Sequence, residues 1–251
     1  MDTMQTLLEH RTIRKYKSQP IEDNILNQIL EAGFRASTTG NMQVYSIIMT
    51  KDEKRKEEMF KFHFGQAMVK QAPVLLTFCA DFNRFNKWCE QRNAEPGYDN
   101  FLSFMTAAID ALLVAQNVTI AAESYGLGIC YLGTTTYMAD KIIEFLKCPK
   151  GVVPITTLVV GYPDENPELV DRLPYKGIVH NEFYKDYSEQ DIDEIYREKE
   201  ALLLTKKLLE ENQLENLAQI FTKNRYTKKD NVYFSQSFLK VIEEAGFMNN
   251  E

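Results

Sequence analysis

The segment His10-Arg11-Thr12-Ile13-Arg14-Lys15-Tyr16 sets four basic or potentially basic side chains and a hydroxyl within its first six residues. Guanidinium forks grip phosphate oxygens in pairs, and a threonine hydroxyl adds a hydrogen bond without adding charge, so a phosphate monoester is a natural ligand. Read alone, the same residues also describe a solvated basic turn. Arg35-Ala36-Ser37-Thr38-Thr39-Gly40-Asn41-Met42-Gln43 offers short donors and acceptors between a helix and a strand, and equally fits a capping turn. Gln66, in Phe64-Gly65-Gln66-Ala67, is an amide able to donate and accept at once. Tyr131-Leu132-Gly133-Thr134-Thr135 closes a strand, where glycine lets backbone N–H groups approach a flat ligand. Strand-end loops of this kind are common ligand sites and also common structural turns. Gly161-Tyr162-Pro163-Asp164-Glu165-Asn166-Pro167, followed by Arg172-Leu173-Pro174, is a turn-rich exit from a strand holding one fixed cation, Arg172.

Several chemistries lack their markers. No Gly-x-Gly-x-x-Gly follows a strand, and neither a P-loop nor a Gly-x-Ser-x-Gly elbow is present, so a nicotinamide would bind without a Rossmann domain. The three histidines, His10, His63 and His180, lie outside i, i+4 reach of another His or Cys, and no metal site is expected. The four cysteines, Cys79, Cys89, Cys130 and Cys148, form no C-x-x-C pair and read as thiols. A net charge of −7 leaves no excess of Lys and Arg for a phosphate polyanion, so nucleic acid is not an expected partner. The start, Met1-Asp2-Thr3 with Glu9 soon after, lacks the basic and apolar regions of an export signal; the expected location is the cytoplasm.

The elements that must position these residues follow from periodicity. Thr3 to His10 and Glu22 to Phe34 carry apolar residues at helical spacing. Val44 to Thr50, Ala72 to Ala80, Gly128 to Gly133 and Val152 to Val160 are β-rich runs, which with the helices between them imply a mixed α/β chain. Phe101 to Ala122 is apolar on nearly every face, as expected of a helix buried all round, and at ~1.5 Å per residue it spans roughly 33 Å. A membrane span is the rival reading. Ser103, Thr106, Asp110, Gln116, Asn117 and Thr119 interrupt the run, and a charge near a bilayer centre costs roughly 3 kcal/mol, so a core helix that also lines a dimer interface is expected. Beyond Pro174, Ser188 to Leu209 reads as a charged helix, Thr222 to Asp230 as a basic loop and Ser235 to Ala245 as a short amphipathic helix. The chain reads as a single domain over 1–251, with a core over about 1–180 and a helical excursion over about 181–251.

In this order, the His10 to Arg14 motif, the Ser37 to Gln43 turn, Phe78-Cys79-Ala80-Asp81-Phe82-Asn83-Arg84, Ala121-Ala122-Glu123-Ser124-Tyr125-Gly126-Leu127-Gly128, and the Gly161 to Pro167 and Arg172 to Pro174 turns resemble the FMN-dependent nitroreductase superfamily. The resemblance is to its branch of NADPH-preferring, oxygen-insensitive nitroreductases and flavin reductases, and runs over nearly the whole chain. It implies an α+β fold, a mixed central sheet flanked by helices with a long buried central helix, and an intertwined homodimer holding FMN in two interface pockets.

By that resemblance His10, Arg11 and Thr12 hold the FMN phosphate and ribityl chain, and Arg14 sits near N1 and the C2 carbonyl, where a guanidinium favours the negative charge of two-electron reduction. Ser37, Thr38 and Gln43 contact FMN from the turn, and Gln66 bonds the pyrimidine edge. Tyr131, Leu132, Gly133 and Thr134 pack by N5. Arg172 is a second phosphate ligand; the related enzymes carry a lysine two residues before it where this chain has Val170, and Lys176 is the nearby substitute. Lys223 and Arg225 grip the 2′-phosphate of NADPH. The implied activity is a ping-pong NAD(P)H oxidoreductase, taking hydride from NADPH or NADH and reducing nitroaromatics, quinones or free flavin, with no catalytic side chain because the chemistry is on the cofactor. The alternatives are a divergent flavoenzyme of the same superfamily, dehalogenase-like or dehydrogenase-like, and a non-catalytic flavin-binding protein.

Overall fold

Every residue of the strand Val74–Asp81 is buried, because its alternating sets face two different layers of helices. Val74, Leu76 and Phe78 join one apolar cluster with Val114 and Val118, while Leu75 joins another with Met59, Val69 and Ile142. Period-two alternation with apolar residues on both faces therefore reads in sequence as one unbroken hydrophobic run.

The computed structural model describes residues 2–250 and falls into two compact units, the chain up to Glu168 together with Phe234 onward, and Leu169–Tyr233. The first unit contains α1 (Thr3–Leu8), α2 (Asp23–Gly33), β1 (Tyr45–Thr50), α3 (Glu53–Phe62), α4 (Met68–Gln71), β2 (Val74–Asp81), α5 (Asn83–Glu90), α6 (Phe101–Ser124), β3 (Gly128–Leu132), α7 (Thr134–Tyr137), α8 (Ala139–Leu146) and β4 (Val152–Gly161). The sheet order is β1-β2-β4-β3, with antiparallel pairing between the named strands. A parallel element enters as the isolated bridge between Thr12 and Ile129. All four β-rich runs of the sequence are strands, within two residues of their expected ends.

The second unit holds α9 (Glu189–Ala201), α10 (Leu203–Asn212), α11 (Leu217–Gln219) and the start of α12 (Lys228–Glu244), whose residues from Phe234 onward belong to the first unit. The single charged helix expected over Ser188 to Leu209 is two helices, because Leu202 takes an extended conformation with ψ 142. Ser188 opens α9 with a capping box closed by Asp191. The basic loop expected over Thr222 to Asp230 is instead largely helical: Ile220–Arg225 is a wide helical turn, and Lys228 begins α12. Lys and Arg are good helix formers, and the Thr227 hydroxyl accepts the Asp230 N–H at 3.1 Å, so the stretch is capped rather than irregular.

Asn100 caps α6 by accepting the Ser103 N–H at 3.1 Å. The helix lays Ala107, Ala111, Val114, Ala115, Val118 and Ala122 on the sheet, and the small side chains let it lie close. The expectation of a helix buried all round is corrected here: Leu102 is 76% exposed and Ile109 48% exposed, and Met105, Leu112 and Leu113 share that outer face. The helix is apolar on both sides, yet a single chain supplies a sheet for one side only. It is long and apolar enough to cross a bilayer, with half of its most apolar window buried.

Helix α2 crosses α6 at Gly33, where a Cβ would lie 2.4 Å from Val118 Cγ2. Valine in a helix has one preferred χ1, so it cannot turn aside. Gly33→Ala is expected to lose about 1–3 kcal/mol by overpacking against a propensity gain of about 1 kcal/mol at most. A lower urea midpoint is the expected result; an unchanged or higher one would show that α2 does not depend on this approach.

Candidate functional site

Residues 10–17 leave α1 as an extended strap and pair with the open side of β3 and with the chain leaving β4. Ile13 N–H donates to Ile129 O at 2.9 Å, Lys17 N–H donates to Tyr162 O at 2.9 Å, and Asp164 N–H donates to Lys15 O at 2.9 Å. Gly128 makes the approach possible, since a Cβ there would meet Ile13 Cγ1 at 2.5 Å. Ile13 and Tyr16 are buried, the tyrosine hydroxyl donating to Ile13 O at 2.7 Å. His10, Arg11 and Thr12 remain half-buried and Arg14 and Lys15 exposed. The basic density read from the sequence is thus a β-like segment with its cations held at the surface.

Two carboxylates that the sequence reading left without a role set its electrostatics. Glu123, from the end of α6, lies 2.5 Å from His10 Nδ1, and burial pushes its pKa up against the opposing pull of the imidazole. Glu165 Oε1 accepts the Arg14 N–H at 2.5 Å and the Lys15 N–H at 3.0 Å. The carboxylates occupy the imidazole and the backbone donors and leave the guanidinium groups outside both contacts. Arg11 Nη1 donates to Glu9 O at 3.0 Å, while Arg11 Nε is buried without a hydrogen-bond partner among the described residues. Arg11, Ile13, Glu123, Gly128 and Glu165 line a cavity of about 220 Å³. Both carboxylates stood inside segments already singled out, but nothing in their spacing indicated which backbone they would meet.

At the other end of β3 the chain turns through Leu132 and Gly133 into α7. A Cβ on Gly133 would meet nothing within 4 Å, so its backbone faces open space. Thr134 Oγ1 lies 2.8 Å from His63 Nδ1 and 3.5 Å from Gln66 Nε2. Thr135 Oγ1 lies 3.1 Å from Thr157 Oγ1, which lies 3.1 Å from Thr77 Oγ1, a buried hydroxyl chain tying α7 to β4 and β2. The Tyr131 hydroxyl donates to Gln116 Oε1 and accepts from Thr119 Oγ1 on α6, each at 3.2 Å. Phe64, exposed and left-handed at φ 54, stands 6.4 Å from Tyr137 and 6.3 Å from Phe234 by ring centroids. Tyr137 and Phe234 stack at 4.2 Å. His63 was read from sequence only as an unlikely metal ligand; its pairing with Thr134 crosses 71 residues and left no local signal.

The Ser37 to Gln43 turn lies elsewhere. The fully buried Asp110 of α6 accepts the Thr39 N–H at 3.0 Å and the Val44 N–H at 3.3 Å, fixing both ends of the turn. Arg84 Nη2 donates to the carbonyl oxygens of Gln43 and Tyr45. The turn leads into β1, the edge strand opposite β3. Along α6, Asp110 and Glu123 are separated by roughly 20 Å. Within one chain, then, the strap, Gln66 and Tyr131 to Thr134 gather along β3, and Ser37, Thr38 and Gln43 do not join them.

The remaining candidates belong to the second unit. Arg172 Nη1 donates to the carbonyls of Val170 at 3.0 Å and Asp171 at 2.9 Å, folded back on its own loop. Asp171 pairs with Lys199 at 2.7 Å, and Lys176 pairs with Glu194. Lys223 and Arg225 lie on the wide helical turn.

A model described as the Nitroreductase family matches residues 7–162. An NADPH-flavin oxidoreductase of Vibrio harveyi is 35% identical over 195 residues, 76% of this chain and 78% of that one. An FMN reductase (NADPH) of Bacillus subtilis (strain 168) is 35% identical over 185 residues, 73% and 74% of the two chains. Among solved structures, a chain from Bacteroides fragilis NCTC 9343 assigned to the oxidoreductases is 55% identical, with a TM-score of 0.96 over 98% of this chain and 100% of its own.

Burial holds the His63 imidazole neutral, its pKa pushed down from 6.5 to about 4. The unfolded chain therefore takes up a proton at this residue before the folded chain does. Its contribution to stability is complete above about pH 6.5 and is lost as pH falls toward about 4, by up to about 3 kcal/mol. Denaturation midpoints measured across that window are expected to fall less steeply in His63→Leu than in the unmodified protein. Equal slopes would show that the imidazole is not held neutral by burial.

Proposed function

The chain belongs to the nitroreductase family, and on that premise we propose that it is an FMN-dependent NAD(P)H oxidoreductase, acting in the cytoplasm as a homodimer on small electron-poor acceptors. The observation that carries the reading is that one strand, β3, has a row of cations strapped along it and a cluster of neutral hydrogen-bonding groups at its end. A phosphate needs the first and the edge of a flat heterocycle needs the second.

The residues present fit FMN. Among the described residues Arg11 Nε is a buried polar atom without a partner, and Gly133 opens its backbone to space between Tyr131 and Thr134. His10, Arg11 and Thr12 would hold the phosphate and ribityl chain. Arg14 would face N1 and the C2 carbonyl, Gln66 the pyrimidine edge, and Tyr131 to Thr134 the N5 side. When bound, FMN supplies the ring that accepts hydride from reduced nicotinamide and passes two electrons to a nitroaromatic, a quinone or free flavin. The chain's own part is to bind, orient and shield, so no nucleophile or acid–base pair is required of it. Glu123 and Glu165 hold the strap in register without occupying its guanidinium groups.

Two features of the chain support the dimer reading. The outer face of α6 is apolar and exposed, and the Ser37 to Gln43 turn stands at the sheet edge opposite the strap. A second copy packed on α6 covers the first and lets Ser37, Thr38 and Gln43 complete its partner's site. Lys223 and Arg225 would grip the 2′-phosphate of NADPH, which makes NADPH the expected donor.

The test is an anaerobic titration of FMN-supplied protein with NADPH and then NADH, following the oxidised-flavin band. Bleaching that is faster with NADPH is the expected outcome. A yellow protein that stays oxidised with both donors would point to a flavoenzyme of another reaction, and failure to take up FMN would overturn the flavoenzyme reading.

A further inference from the structure

His63 is the only histidine of the three that is fully buried, and Thr134 Oγ1 is the one hydrogen-bond partner the structure gives its ring. Its other nitrogen, Nε2, is buried without a partner among the described residues. With the pKa pushed down to about 4 by burial, the ring is neutral at working pH and carries a single proton on one of its two nitrogens. Were that proton on Nε2, an N–H would be orphaned in the interior. Placed on Nδ1, it leaves only an unused lone pair at Nε2, and orphaned donors are the rarer and costlier case.

The Nδ1–H form has a consequence at Thr134. The imidazole then donates to Oγ1 at 2.8 Å, and Gln66 Nε2 approaches the same oxygen more weakly at 3.5 Å. A hydroxyl has two acceptor sites and one proton. With the acceptor sites directed at His63 and Gln66, the proton is the group left to spend on something else. Thr134 is half-buried and next to Gly133, whose backbone faces open space, while the buried hydroxyl chain through Thr135 holds α7 in place.

We infer that His63 is a positioning residue: as its Nδ1–H tautomer it occupies the Thr134 oxygen and turns the hydroxyl proton outward as a fixed donor to a ligand. The chemical class served is a flat heteroaromatic ring with an acceptor nitrogen or oxygen on the edge that meets the Gly133 opening. The inference rests on the flavoenzyme reading for the identity of that ring, which is FMN. It does not rest on that reading for the tautomer, which belongs to the chain alone.

The two parts are tested separately. ¹⁵N-resolved NMR of the histidine rings in flavin-free protein, with His63 assigned by the signal lost in His63→Asn, is expected to show Nδ1–H at His63. An Nε2–H tautomer overturns the inference. FMN affinity by fluorescence quenching is expected to fall about fivefold in Thr134→Val and in His63→Leu, the loss of one neutral hydrogen bond. Thr134→Ser and His63→Asn, which keep a hydroxyl and an N–H donor near the original places, are expected to restore most of it. Unchanged affinity in Thr134→Val, with thermal midpoints confirming folded protein, overturns the outward donor. Failure of the unmodified protein to bind FMN overturns the ring assignment and the flavoenzyme reading together, while the tautomer is still decided on the flavin-free chain.

Discussion

The open side of an edge strand presents N–H and C=O groups that must be paired, covered or left to attract another chain. Here β3 is closed by the chain's own strap, through Ile13 to Ile129, and the strap continues along the β4 exit through Lys17 to Tyr162. These backbone bonds determine where the basic residues stand. Because Ile13 and Tyr16 are buried, the cations between them, Arg14 and Lys15, are left at the surface. Gly128 is the condition for all of this, since any larger residue would push Ile13 away from the strand.

A dense group of cations repels itself, and two carboxylates ease that repulsion. Glu165 reaches the strap's backbone and Glu123 reaches His10, so neither neutralises Arg14, whose guanidinium makes no hydrogen bond among the described residues. At the far end of β3 the cluster changes character: Thr134, Gln66 and neutral His63 bear no charge. The strand thus runs from a cationic end to a neutral hydrogen-bonding end, the contrast on which the proposed FMN site rests. The hydroxyls of Thr135, Thr157 and Thr77 fix the neutral end to the sheet, a buried polar chain in which each group has a partner.

Helix α6 connects the site to the rest of the fold. Its alanines and valines take the sheet, its Asp110 anchors the Ser37 to Gln43 turn, and its Glu123 anchors His10. Asp110 is a carboxylate within an otherwise apolar run, and such a group is tolerated in the interior when its oxygens accept hydrogen bonds, as they do from Thr39 and Val44. Of the polar interruptions that argued against a membrane span, Asp110 anchors the turn, and Gln116 and Thr119 hold the Tyr131 hydroxyl.

The sequence by itself determined the elements. Periodicity located α2, α6 and the four strands, and short polar segments marked the strap, the turn and the end of β3, because amphipathic spacing and turn chemistry are local properties. It also carried the family resemblance, since that depends on motifs in order along the chain. Local reading failed where Leu202 divides one expected helix into two and where a basic stretch took helical structure through its own caps. Only the tertiary structure decided which segments meet: that Glu123 and Glu165 serve the strap, that His63 reaches Thr134, that the Ser37 to Gln43 turn stands apart from the other candidates, and that one face of α6 stays uncovered. The physical reason is that these contacts join residues far apart in sequence, and spacing along a chain holds no information about which distant oxygen a given nitrogen will find.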